Sequence, residues 1–257
     1  MGTSKIGVAV IAMNEADRIG RLLDSVKFAD EIVVVDSGST DGTQALCKKA
    51  GAKVIYREWD GYAAQKQSAM ECISSEWILN LDADEEVSEN LAEEIRRKVK
   101  QADPDIHGFS MPRLSRYLGR WIRHGGWYPD RKLRIVRKGK GMWKGDALHE
   151  QLLVEGGVET LSNPLFHHVY REISDQVVTI NKFSDVYAAE KGPREGWFVF
   201  VGIIHAAGKF LECYFWKLGM LDGIAGAVIA MNSAWYIFLK HAKMWELSSG
   251  EKDSTGD

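Results

Sequence analysis

Through the first hundred residues, apolar runs of strand length alternate with stretches of helical spacing. Residues 6–13 (IGVAVIAM) form one apolar run, and residues 15–26 follow with Ile19, Leu22, Leu23 and Val26 on one helical face. A second strand is predicted at 31–35 (EIVVV), a helix at 43–50, a short strand at 53–56, a helix at 62–73 and a fourth strand at 77–81 (WILNL). A further helix is predicted at 91–99. Continuous apolar strands separated by helices imply a mostly parallel sheet covered on both faces, an α/β fold. Ligands of such sheets sit beyond the carboxyl ends of the strands.

From residue 107 to 169 the pattern changes to short strands (HGFSM, KLRIVRK, EQLLVE) broken by Gly, Trp and Arg, as in an irregular, partly antiparallel region. A helix is predicted at 174–190, ending at Gly192-Pro193. Residues 197–247 are strongly apolar and aromatic. Residues 248–257 lose nearly all apolar character and read as a disordered tail.

Composition narrows the class. Of 257 residues, 45% are hydrophobic and 27% charged, an ordinary globular balance. The formal net charge of -3 argues against a nucleic-acid partner. Basic residues nevertheless crowd between 113 and 144, as a solvated face or as a landing place for an anionic substrate. Cys47, Cys72 and Cys213 are scattered, with no zinc or disulfide spacing, and suit a reducing compartment. The N-terminal apolar run reads as a buried strand rather than a signal peptide.

Two strand ends carry candidate chemistry. Asp36 closes VVVD and is followed by SGSTDGT, either a turn with a helix cap or a pocket for a nucleoside. The fourth strand ends in Asn80-Leu81-Asp82-Ala83-Asp84-Glu85-Glu86. Asp82 and Asp84 form a D-x-D pair of hard oxygen ligands suited to Mg2+ or Mn2+. The plainer alternative is that these acids favour the start of the next helix.

The runs IAMNE, DEIVVVDSGSTDGT, GYAAQKQSA and WILNLDADE together resemble glycosyltransferase family 2, which has the GT-A fold. With GGWYPDRKLRIVR, LHE and YFWKLGMLDG, the similarity extends toward lipopolysaccharide core-biosynthesis enzymes of the heptose β-1,4-glucosyltransferase type. The resemblance implies an inverting, metal-dependent hexosyltransferase. It implies that Ala12, Asn14, Glu15 and Asp36 line the nucleoside side of a nucleotide-sugar site, that Lys66 contacts the donor's diphosphate or sugar, and that Asp82 touches ribose or metal. Asp84 would ligate Mn2+ or Mg2+ directly, with His149 as a third ligand. Lys66 as a surface helix lysine and His149 as a structural histidine are the plainer alternatives.

Inverting transfer needs a carboxylate to take the acceptor proton. Asp130 is the first candidate and Glu150 the second; an ion pair of Asp130 with Arg131 or Arg134 is the alternative. Trp127 and Tyr128 would stack on sugar rings. Arg123, Arg131, Arg134 and Arg137 would grip acceptor phosphates, since guanidinium forks match phosphate oxygens.

The apolar stretch 197–207 is too short to span a bilayer, and 218–239 carries Asp222 and Asn232, which are costly inside one. Flanking Lys209, Lys217, Lys240 and Lys243, with Trp216, Trp235, Tyr236 and Trp245 among them, suit helices lying in a membrane interface, with a true span, a packed helical subdomain or an oligomer contact as the alternatives. The expected organisation is a GT-A domain over 1–170, a membrane-facing helical region over 171–247 and a tail. The expected partners are a UDP-hexose donor, a lipid-linked core oligosaccharide and the cytoplasmic side of a bacterial inner membrane, with a homo-oligomer left open. A nucleotidyltransferase and a non-catalytic nucleotide-sugar-binding protein are the competing classes.

Overall fold

The structure, a computed structural model, describes residues 4–145 and 150–254. Its chain divides into two compact units, Met1–Arg113 with Asp130–His167, and Leu114–Pro129 with His168–Asp257. The expected boundary near residue 170 therefore misses an excursion: residues 114–129 leave the first unit and join the second.

The chain runs β1 (Ile6–Ala12), α1 (Ile19–Ser25), β2 (Glu31–Asp36), α2 (Thr43–Lys49), β3 (Lys53–Tyr56), α3 (Tyr62–Glu71) and β4 (Trp77–Asp82). It continues through β5 (Glu85–Val87), α4 (Glu89–Gln101), β6 (Ile106–Tyr117), β7 (Arg120–Trp121) and β8 (Asp130–Arg137). Then come β9 (Gly141–Lys144), β10 (Gln151–Val154), β11 (Gly157–Thr160) and β12 (Leu165–His167). The helical end comprises α5 (Ile173–Lys191), α6 (Phe198–Leu211) and α7 (Gly223–Ser254).

In the first unit the strand order is β3-β2-β1-β4-β8-β6-β12-β5, with β9 and β10 paired separately. The first four strands are parallel, and β8 joins β4 antiparallel. Alternate residues feed two cores, as the pleat requires. Val8, Val10, Val34, Leu79 and Leu81 pack with α1 and α4, through Ile19, Leu22, Leu91 and Ile95. Ala9, Val33, Val35 and Ile78 pack with Ala69, Met70 and Ile73, and with Trp143 from β9. The sheet is thus covered on both faces, as its apolar strands predict.

Helix α1 begins later than its spacing predicts because residues 14–18 make a turn. Asn14 adopts a left-handed backbone (φ 57), and the Glu15 carbonyl accepts from the amides of Arg18 and Ile19. Helix α4 starts where Ser88 accepts from the Leu91 amide at 3.2 Å. Strands β5 and β9 are short and were not anticipated. In β5 the inward residues are Glu85 and Val87, so the acidic run carries no apolar period.

In the second unit, α6 and α7 are joined by a π-helical turn (Glu212–Trp216) and a 3-10 turn (Gly219–Asp222). Gly202 lets α6 approach α7 closely, since a Cβ there would lie 2.5 Å from the His241 Cβ. The segments Phe198–Trp216 and Gly219–Ser249 are each long and apolar enough, by length and composition, to cross a membrane. The first is longer than the sequence suggests because the π turn continues α6. Asp222 lies before α7 and is buried, and Asn232 donates to Gln176 Oε1 at 2.5 Å, so neither polar residue faces outward from α7. Helix α7 runs on to Ser254, past the predicted start of a disordered tail.

Candidate active site

Parallel pairing brings distant residues to one edge of the sheet. Ala12 is opposite Asp36, and Ile11 is opposite Asp82, so the ends of β1, β2 and β4 lie side by side. Strand β8 runs the other way, so its first residue, Asp130, starts at the edge where β4 ends. The cluster thus assembles from the register.

The loops after β1 and β2 are stitched together. Ser39 Oγ accepts from the Asn14 amide at 2.8 Å, Asn14 Oδ1 accepts from the Thr40 amide at 2.9 Å, and Thr43 Oγ1 accepts from the Glu15 amide at 2.9 Å. Asp36 is fully buried and accepts from the Gly38 and Ser39 amides, the Ser39 hydroxyl and the Gln44 side chain. Burial raises its carboxyl pKa, but those donors outweigh it and hold it below the ordinary range. Gln65 donates to Ser37 Oγ at 2.9 Å and to the Arg57 and Glu58 carbonyls, tying the loop before α3 to the same edge. Ala12, Asn14, Glu15 and Asp36 therefore fall in one neighbourhood. Asp36 builds the loop from within.

A chain of alternating charges lies below. Lys66 Nζ sits 2.8 Å from Asp82 Oδ1 and 3.2 Å from Glu150 Oε1. Arg134 Nη2 sits 2.7 Å from Asp82 Oδ2 and 2.5 Å from Glu85 Oε1. Arg113 Nη1 is 3.6 Å from the same Glu85 oxygen, and Arg113 Nη2 is 2.7 Å from Asp130 Oδ2. Lys132 completes the run at 3.1 Å from Asp130 Oδ1. Burial works against ionising Asp82, but Arg134 and Lys66 prevail and push its pKa well below the usual range. Asp130 is likewise held down, burial notwithstanding, by Arg113 and Lys132.

This geometry revises several readings. Lys66 is buried rather than a surface helix lysine, and it stacks over the Trp143 ring at 4.8 Å. Arg134, expected to reach an acceptor, is 4% exposed and spends its guanidinium on Asp82 and Glu85. The ion-pair partners of Asp130 are Arg113 and Lys132, not Arg131 or Arg134. Arg131 is exposed. Trp127 and Tyr128 belong to the second unit, where Trp127 packs on Tyr117 at 5.7 Å and Tyr128 faces Arg123 at 5.9 Å.

Sequence reasoning missed Glu85, Arg113 and Arg18. Glu85 was legible as part of the D-A-D-E run, but its burial depends on β5 pairing with β12. Arg18 and His167 each approach Asp84 Oδ2 at 3.4 Å.

Oxygen chemistry at Asp84 fits a hard divalent cation: the side chain is 21% exposed, and Oδ1 has no hydrogen-bond partner among the described residues. Both Asp82 oxygens are engaged by Lys66 and Arg134. Among the described residues no three His, Cys, Asp or Glu side chains converge on a metal position. His149, the expected third ligand, lies outside the described residues.

The chain that builds this sheet and its acidic edge matches the family model "Glycosyl transferase family 2" over residues 7–150. The chain belongs to that family and is a glycosyltransferase of GT-A type. It is 33% identical over 249 residues to the lipopolysaccharide core biosynthesis glycosyltransferase LpsC of Rhizobium meliloti (strain 1021), covering 92% of this chain and 90% of that protein. It is 50% identical over 266 residues to an uncharacterized glycosyltransferase of Rickettsia bellii (strain RML369-C), covering 96% and 88%. Among solved structures, it is similar to glucosyl-3-phosphoglycerate synthase from Mycobacterium tuberculosis in complex with Mn2+, UDP and phosphoglyceric acid. That match has a TM-score of 0.45 and 17% identity, covering 65% of this chain and 71% of the other.

Proposed function

We propose that this glycosyltransferase is inverting and metal-dependent, and that it moves a hexose from a UDP-hexose, UDP-glucose being favoured, onto a lipid-linked core saccharide. The observation that carries the reading is the adjacency of the Asp36 loop and the Asp82/Asp84 pair at one sheet edge. The similarity to a lipopolysaccharide core enzyme supports the acceptor class. The apolar C-terminal helices support work at a membrane surface, on the cytoplasmic side where nucleotide sugars are made.

In this reading Asn14, Glu15 and the 36–43 loop receive the nucleoside. Asp84, with Asp82 and His149, would hold Mn2+ or Mg2+, and the bound cation would supply charge neutralisation for a diphosphate leaving group. Lys66 is the cation released toward the diphosphate when Asp82 is otherwise engaged. Asp130 takes the acceptor proton, with Glu150 as the alternative base. Trp127 and Tyr128 stack on the acceptor, and Arg131 meets its phosphates.

Thermal-shift binding of UDP, GDP, ADP and CMP, each with and without manganese, tests the donor half. A ligand selective for the native state raises the melting temperature. A shift with UDP that requires manganese and disappears in Asp84→Ala is expected. A shift with ADP alone would redirect the donor to a nucleotide-linked heptose, and no shift with any nucleotide would remove the reading.

A further inference from the structure

Asp222 is a buried carboxylate that holds a loop. It is 3% exposed, and its Oδ2 accepts from the His124 amide at 2.8 Å and the Arg123 amide at 3.2 Å. Its Oδ1 lies 3.1 Å from His124 Nδ1. One residue on, the Gly125 amide donates to the Lys217 carbonyl at 2.8 Å. Gly125 and Gly126 have left-handed backbones (φ 67 and 85), and a Cβ on Gly126 would lie 2.9 Å from Lys217 Cδ. The loop that carries Trp127 and Tyr128 is therefore fastened, atom by atom, to the 212–224 turn between α6 and α7.

The same turn presents an apolar face outward. Cys213, Gly219 and Asp222 point inward and are buried, whereas Trp216 is 86% exposed, Ile224 82% and Leu221 53%. Cations stand beside these side chains. Arg120 Nη2 donates to the Leu221 carbonyl at 3.2 Å, and Arg123 and Lys217 flank the clamp. The exposed acid of the turn, Glu212, is neutralised by Lys217 at 2.6 Å and Lys209 at 3.0 Å. Large apolar side chains with a rim of arginine and lysine match an anionic lipid surface in both chemistry and charge.

We propose that the 212–224 turn seats in an anionic bilayer surface and that Asp222 transmits this seating to the Trp127–Tyr128 loop, acting as a positioning residue. Lipid contact would then order the loop at the moment the protein reaches the membrane. The consequence for acceptor binding rests on the function proposed above; the lipid contact and the clamp do not.

The test is hydrogen exchange on the full chain with vesicles of phosphatidylcholine alone and of phosphatidylcholine mixed with phosphatidylglycerol. Mixed vesicles should slow exchange across 212–224 and at the Arg123 and His124 amides. The double variant Leu221→Glu/Ile224→Glu, altered only at exposed positions, should lose both effects. Asp222→Asn should keep the slowing across 212–224, while the Arg123 and His124 amides exchange about tenfold faster and ignore the vesicles, as expected for weakened bonds to a charged acceptor. If Asp222→Asn does not fold, Asp222→Glu, which displaces the charge by one methylene, should give the same split. No slowing with mixed vesicles would overturn the proposal. So would protection that grows with protein concentration without lipid, which would assign the face to a second copy, or a vesicle response at Arg123 and His124 that survives loss of Asp222. UDP-dependent melting, measured in parallel, separates the two readings: its failure removes the donor site and leaves the exchange result standing.

Discussion

Lys66 Nζ lies 2.8 Å from Asp82 and 3.2 Å from Glu150, so one buried ammonium joins the end of β4 to a candidate base 68 residues further along the chain. The two carboxylates gain a common counter-charge, and the ammonium sits on the Trp143 ring with little access to water.

Removing that ammonium leaves Asp82 with Arg134 alone and Glu150 without its cation. Lys66→Met should therefore destabilise the fold by about 3 kcal/mol, the usual cost of breaking a buried pair from one side. For a chain of this size that corresponds to about 10 °C in Tm. Differential scanning calorimetry measures it; an unchanged Tm would mean that the pair contributes nothing net.

Asp130 and Glu150 are separable as bases. Asp130→Asn should lower kcat by about 10²–10⁴ while UDP binding is retained, and Glu150→Gln should leave kcat closer to the parent. Because Arg113 and Lys132 keep the Asp130 carboxyl below its usual range, it stays ionised into acid. The acid limb of kcat/KM should then fall below pH about 4. The opposite ranking of the two variants would hand the proton to Glu150.

Acid should weaken the fold through the same edge. The carboxyls of Asp36, Asp82 and Asp130 all have lowered pKa values, so the unfolded chain binds protons that the folded chain refuses. The stability they contribute is present above the unfolded range of about 4 and drains away as pH falls through the lower folded values. Tm measured from pH 7 to pH 3 should hold steady and then drop, and Asp36→Asn should flatten that drop while lowering the plateau.

Gly7 marks a close approach in the centre of the sheet. A Cβ there would lie 2.4 Å from Ile73 Cγ2 and 3.1 Å from Glu31 Cγ. Gly7→Ala should cost about 1–3 kcal/mol by overpacking. Adding Ile73→Leu, which keeps the volume but has no Cγ2 branch at that position, should recover part of the loss in thermal melts. No recovery would place the strain elsewhere.

Much of the parallel core was readable because β1, β2 and β4 are buried on both faces and so appear as unbroken apolar runs. The position of Asp36, Asp82 and Asp84 at the sheet edge was readable for the same reason: each ends or follows such a run. The sequence also showed that the C-terminal third is apolar beyond what a surface helix needs. It did not show that Arg134 turns inward to Asp82 and Glu85, because a charged residue on an alternating strand has no mark that distinguishes a buried partner from water. Nor did it show the pairing of Arg113 with Asp130, which follows from the antiparallel register of β6 and β8. The loop bearing Trp127 and Tyr128 joins the helical unit because Asp222, about a hundred residues later, supplies the acceptor for its amides. Local periodicity determines which segments become strands and helices and where their ends fall. Which charges meet is decided by strand order and register, since those alone set the distances over which the charges act.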